Sequence, residues 1–172
     1  MRQIILLFAI LSLMGCKQTY KEGDIVFQIS KSRQSPLIQQ ATGSQWSHCG
    51  IVVEKEGKQY VLEASKTVRL TPLEEWVQRG KGGKVKSRRV LNDSIKIKYK
   101  KYLGKSYDTA FRFGNNRWYC SELVYDIYKE QFGIELCKPR KVREYDIDGM
   151  ETTMRKRGIS PDQEVVAPDD LI

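Results

Sequence analysis

The segment that most constrains this chain is residues 47–65. SHCGIVVE (47–54) and QYVLEAS (59–65) are β-branched apolar runs joined by the polar turn Lys55-Glu56-Gly57-Lys58, the pattern of a β-hairpin. A lone hairpin is unstable in water, so its apolar surface needs a cover from elsewhere in the chain. Further along, a helical stripe of Leu123, Val124, Ile127, Tyr128 and Phe132, closed by Gly133 as a left-handed C′ residue, marks a second long element with a face to bury. With 172 residues and 40% hydrophobic content there is material for one real core, which excludes a disordered tail or a membrane bundle. No internal repeat or low-complexity linker divides it.

The first sixteen residues are read apart from the fold. A short cationic start, an apolar run over residues 4–13 and then Met14-Gly15-Cys16 make a secretory signal that is short for a membrane span. The end, Leu13-Met14-Gly15-Cys16, resembles the lipobox of bacterial lipoproteins, in which the cysteine is acylated and becomes the new N-terminus. The expected organisation is therefore a signal peptide over residues 1–15, a lipid-anchored tether over 16–22 and one domain over 23–172. This implies an exported, membrane-anchored lipoprotein, facing the periplasm or outer membrane if the cell is Gram-negative. An ordinary signal peptide with Cys16 incidental is the plainer alternative.

Export changes the meaning of the charge. The chain carries 30 Lys+Arg against 21 Asp+Glu, a formal +9. A basic run such as residues 79–89 (RGKGGKVKSRR) would suggest nucleic acid in a cytosolic protein. Outside the cytosol it suggests anionic envelope surfaces, or simply a solvated face, and no nucleic-acid partner is expected. Residues 80–83 lack the GK[ST] ending of a phosphate loop.

Between these landmarks, Gly23-Asp24 opens a strand over residues 25–29. Ser35-Pro36 starts a short helix to Gln40, with serine as N-cap and proline at the first helical position. One or two helical turns follow Pro72, and residues 84–91 read as a basic strand. Residues 92–103 fit two patterns: Ile95, Ile97 and Tyr99 alternate with lysines, yet Ile95, Tyr99, Tyr102 and Leu103 mark one helical face. The Asn92-Asp93-Ser94 cap cluster favours a helix.

The chain holds a single histidine, so a His-rich metal site is excluded, and no metal or organic cofactor is expected. Its four cysteines, 16, 49, 120 and 137, form no CxxC pair. Cys120 falls in the first turn of the striped helix, where the helix dipole and unpaired N–H groups favour a thiolate. Such a nucleophile needs a proton shuttle, and only His48 can serve. The imidazole in turn wants an orienting acceptor. An even-length hairpin turn puts Glu63 on the same sheet face as His48; an odd-length turn puts it on the other. Cys49 points away from His48 in a regular strand. Cys49 and Cys137 read as small core residues, and a disulfide between them stays open.

GDIVF (23–27), SHCGIVV (47–53), VLEAS (61–65), LGKSYD (103–108) and WYCSELV (118–124) together resemble the circularly permuted papain-like cysteine hydrolases of the NlpC-type superfamily, the YiiX-like group. The histidine strand precedes the cysteine helix, the reverse of the ordinary order. The resemblance implies an α+β, permuted papain-like fold, with an antiparallel, partly barrelled sheet packed against the helix that bears the cysteine at its N-terminus. It implies Cys120 as nucleophile, His48 as general base and acid, Glu63 as the orienting third residue, and Tyr107 near the developing oxyanion. The implied reaction is hydrolysis of a peptide, small-molecule or lipid-linked amide through an acyl-enzyme. A lipid ester or thioester hydrolase or acyltransferase, and a catalytically silent envelope-binding lipoprotein, are the alternatives. The substrate and oligomeric state are not readable from sequence.

Overall fold

The computed structural model describes residues 19–172. The expected signal peptide and the lipidation site Cys16 lie outside the described residues. The first half forms β1 (Ile25–Gln28), α1 (Ser35–Thr42), β2 (His48–Lys55), β3 (Lys58–Ala64), β4 (Val68–Pro72), α2 (Leu73–Arg79) and β5 (Val85–Arg88). The second half adds α3 (Cys120–Phe132), β6 (Arg140–Lys141), α4 (Glu151–Arg157) and β7 (Glu164–Val165). The first five strands make one antiparallel sheet in the order β4-β3-β2-β1-β5, and β6 pairs with β7.

Both faces of this sheet are covered, and strand alternation decides which side chain goes where. Ile25, Phe27, Cys49, Ile51, Val53, Leu62 and Ala64 share one buried cluster with Leu123, Val124, Ile127 and Tyr128 of α3. Val26, Val52 and Val61 meet Trp76 of α2 in a second cluster. Each of the Val, Leu, Ile and Phe side chains among them contributes roughly 1.5–3 kcal/mol by leaving water. The α3 stripe is the one its sequence predicts, and Gly133 ends it at φ 69°, donating its N–H to Lys129.

The hairpin turn settles the parity question. Lys55 pairs with Lys58, so only Glu56 and Gly57 are unpaired, and both have positive φ (52° and 73°), as in primed two-residue turns. The loop is even, and Glu63 shares the α2 face with His48. The ladder, continued one residue past Ile51↔Leu62, sets Gly50 opposite Glu63, with His48 diagonal to it. A Cβ there would come within 2.5 Å of Val61 Cγ1 and 2.6 Å of the Leu62 carbonyl oxygen, so glycine lets β3 approach at this point.

Two local expectations are corrected. Residues 92–103 are not a helix; they run as an irregular segment with a turn near Tyr102. Side chains of neighbouring elements satisfy its backbone: the Ile97 N–H donates to Glu22 (2.9 Å), the Lys98 N–H to Gln131 Oε1 (2.9 Å), and the Lys98 carbonyl accepts from Gln131 Nε2 (3.0 Å). With those partners in place, Ile97 and Tyr102 enter the core without a helix. Ser35 is not a cap either. It is the first residue of α1, which starts after Gln34, and its hydroxyl is hydrogen-bonded to Ser47 (2.5 Å).

The region after Cys137, nearly silent in sequence, closes the domain. Val142, Met150 and Met154 form a cluster against Leu37 and Ala41 of α1, while Leu171 is fully buried in the main core. Among the described residues no helix is long and apolar enough to cross a membrane.

Candidate active site

Cys120 is the first residue of α3, and the residues flanking it are tied to the C-terminal segment. Ser121 Oγ donates to the Val166 carbonyl (2.6 Å), and the Val166 N–H donates to the Tyr119 hydroxyl (3.1 Å). Tyr119 and Glu122 close the helix start, the Tyr119 N–H donating to Glu122 (3.3 Å). The nucleophile candidate is thus fixed from both sides.

His48 begins β2 on the α2 face of the sheet, while Cys49, the next residue, lies on the α3 face in the same buried cluster as Cys120. This is the opposite orientation that strand alternation requires. His48 Nε2 is 2.6 Å from Glu63 Oε2, which leaves Nδ1 for the thiol. Burial pulls the His48 pKa down, but hydrogen bonds to Cys120 and Glu63 and the charges of both raise it to about 9. Conversely, the hydrogen bond from Cys49 holds the Cys120 thiol well below its ordinary range; burial opposes this, and the bond and charge of His48 add to it. Both shifts favour the thiolate–imidazolium form of the pair. Cys49 itself is pushed up, first by burial and then by the Cys120 thiolate, and remains a protonated donor.

Glu63 is fully buried, and five side chains hold its carboxylate. Besides His48, Arg79 Nη2 donates to both oxygens (2.7 and 2.5 Å), Thr71 Oγ1 to Oε1 (2.7 Å), Trp76 Nε1 to Oε2 (3.1 Å) and Arg69 Nε to Oε1 (3.2 Å). Burial favours the neutral acid, yet His48, Arg79 and Thr71 hold the group well below the usual carboxylate range. Four of these partners come from β4 and α2, the stretch after the hairpin, and the sequence reading did not single them out. The only signal there was Arg79 at the head of the basic run. The arginines of that run are spoken for: besides Arg79, Arg89 donates twice to Asp24 (2.7 Å each) and Arg88 donates to the Leu171 carbonyl (2.9 Å).

Tyr107 also comes to the site. Its strand-like bridge to Trp118 places it beside the start of α3, and its hydroxyl accepts from Gln34 Nε2 (2.8 Å). Burial, and after it the Cys120 charge, raise its pKa well above the usual value, so it stays a protonated donor. Neighbouring Asp108, by contrast, accepts from the Ala110 and Arg112 N–H groups (2.9 and 2.6 Å) and from Asn115 (2.8 Å), and organises the loop. Cys49, Cys120 and Cys137 are all free, so the 49–137 disulfide is absent.

Two cavities meet at this constellation, with Gln34 in the wall of both. One, of about 130 Å³, is apolar and touches Cys120; Leu37, Ile38, Val142, Met150, Met154 and Val166 are among its lining. The other, of about 450 Å³, opens on the His48 side and is the more polar of the two, with Lys31, Lys66, Arg69, Arg79 and Tyr107 in its wall.

Residues 19–172 match the model of the permuted papain-like amidase enzyme family, YaeF/YiiX, C92. The chain is 34% identical to the protein YiiX of Escherichia coli strain K12, over 96% of this chain and 88% of that protein. The crystal structure of yiiX from Escherichia coli O157:H7, described as a metalloprotein, superposes with a TM-score of 0.80 at 36% identity, covering 88% of this chain and 91% of that one. Among the described residues of the present chain, no group of three or more His, Cys, Asp or Glu side chains is arranged to hold a metal ion.

Proposed function

We propose, since the chain belongs to the permuted papain-like amidase family YaeF/YiiX, C92, that it is a cysteine hydrolase of amidase or peptidase type, cleaving an amide bond in the cell envelope. The observation that carries this reading is His48 held 2.6 Å from the buried Glu63 carboxylate, with Cys120 at the start of α3 in electrostatic reach of the imidazole, an arrangement that lowers the Cys120 pKa and raises that of His48. In the proposed mechanism the Cys120 thiolate attacks the carbonyl carbon, forming a C–S bond and moving the carbonyl π pair onto oxygen. The Tyr107 hydroxyl and the Cys120 N–H at the helix start stabilise that oxyanion. Collapse breaks the C–N bond as His48 Nδ1 gives its proton to the leaving amine. Neutral His48 then takes a proton from water, whose oxygen attacks the thioester and releases the acid with Cys120 again a thiolate. Glu63 keeps the imidazole oriented through both half-reactions.

The apolar cavity at Cys120 favours a second reading within the same chemistry, hydrolysis of a lipid ester or thioester. The deciding experiment is a panel of stem-peptide amides, N-acyl amides and acyl esters followed by mass spectrometry, with Cys120→Ala as control. Amide cleavage lost in the variant is expected. Cleavage of esters alone would favour the second reading. Cleavage retained by Cys120→Ala would reject the nucleophile, and no turnover on any substrate would favour a silent binding lipoprotein. Export and lipidation at Cys16 are part of the proposal; Cys16→Ser should lose membrane fractionation, and unchanged fractionation would reject the anchor.

A further inference from the structure

The two cavities differ in the part of a substrate each would receive. An acyl group stays bonded to Cys120 after the first step, so it belongs on the cysteine side, where the apolar cavity lies. The leaving group takes its proton from His48 and belongs in the polar cleft. That cleft is unbalanced in charge. Lys31, Lys66, Arg69 and Arg79 line it together with His48, and none of the described residues lining it is acidic. Arg69 and Arg79 are engaged with Glu63 beneath the wall, whereas exposed Lys31 and Lys66 have no carboxylate partner among the described residues. Ser30, Ser32, Ser65 and Thr109 add hydroxyl donors around them.

We infer that this site selects substrates whose leaving group is anionic, a carboxylate or phosphate held by Lys31 and Lys66 at the mouth of the His48-side cleft. The inference rests on the hydrolase reading and sharpens its substrate class: an apolar acyl group joined through an amide to an acidic amine. Such a group meets the cleft's unpaired positive charge, while a neutral or cationic one gains nothing from it.

The test compares N-octanoyl glycine with N-octanoyl glycinamide, which differ by one charge in the leaving group, and adds N-octanoyl aminomethylphosphonate to separate carboxylate from phosphate preference. The anionic amides should lead in kcat/KM by at least about threefold at low salt, and the lead should shrink in Lys31→Ala/Lys66→Ala and with added salt. Equal values, a preference for glycinamide, or a lead that persists in the double variant would overturn the inference. If none of the three is cleaved, that failure counts against the hydrolase reading, and the charge inference is decided by alkylation. The ratio of Cys120 alkylation rates by iodoacetate and neutral iodoacetamide should fall at least about threefold in the double variant; an unchanged ratio would overturn it.

Discussion

Replacing Glu63 with glutamine removes one buried charge with almost no change of shape, and its effect is read most directly on His48. The rise of the His48 pKa from 6.5 to about 9 is worth roughly 3 kcal/mol of preference for imidazolium, net of the burial that opposes it. Cys120 and Glu63 share that preference, so losing the carboxylate removes roughly half, between 1 and 2 kcal/mol, about one pH unit of midpoint. Because His48 is the chain's only histidine, labelling an untagged protein with histidine carrying ¹³C at Cε1 gives a single NMR signal to titrate. The wild type should titrate near 9, and Glu63→Gln at least about one pH unit lower. Linkage follows with the same sign. A raised histidine pKa contributes stability that is fully present below 6.5 and lost as pH rises through about 9, and the variant should lose part of that contribution. An unchanged midpoint would show that Glu63 does not govern the imidazole, and the reasoning from its 2.6 Å bond would fail.

Three further perturbations test the supports of the site. Gly50→Ala puts a Cβ against the β3 backbone and should cost about 1–3 kcal/mol in urea unfolding, with the pH dependence of Cys120 alkylation shifted as His48 and Glu63 are pushed apart; wild-type stability would contradict the close approach. Cys49→Ala removes the largest influence lowering the Cys120 pKa, so alkylation of Cys120 near about pH 6 should slow several-fold, and an unchanged rate would refute the thiol–thiolate bond. Glu122 is fully buried with Oε1 unpartnered, and burial, then the charge of Asp126, raises its pKa to about 9. A carboxyl raised in this way stabilises the fold most below its ordinary 4.5 and loses that advantage as pH climbs towards 9. Glu122→Gln, which still accepts from the Tyr119 N–H, should therefore gain about 1–3 kcal/mol over wild type near about pH 8 and little near about pH 5; equal stability across that range would refute a neutral Glu122.

What was legible in sequence is what local pattern encodes. The hairpin, the α3 stripe and the Gly133 stop follow from alternation, helical periodicity and the need for a left-handed residue, and all three are present. The partnership of His48 with Glu63 hung on turn length, which the four polar residues 55–58 left open; the positive φ of both Glu56 and Gly57 decides it. Residues 92–103 failed because their backbone bonds go to Glu22 and Gln131, far away in sequence, and a strong cap cluster says nothing of that. The clamp on Glu63 was hidden for the same reason. Arg79 looked like the start of a solvated basic run, and only the packing of α2 over β3 turns it towards a buried carboxylate. The apolar cavity is assembled from α1 and the segment after Cys137, whose short elements carry no readable period.

The central claim is that Cys49 and His48 together hold Cys120 as a reactive thiolate, and alkylation tests it most directly. Limiting iodoacetamide near about pH 6, with the modified residue located by mass spectrometry, should label Cys120 ahead of Cys137, whose pKa is pushed up to about 11 by burial and the charge of Asp170. The preference should shrink several-fold in His48→Ala. Labelling of Cys120 no faster than Cys137, or a preference unchanged by the loss of His48, would contradict the account.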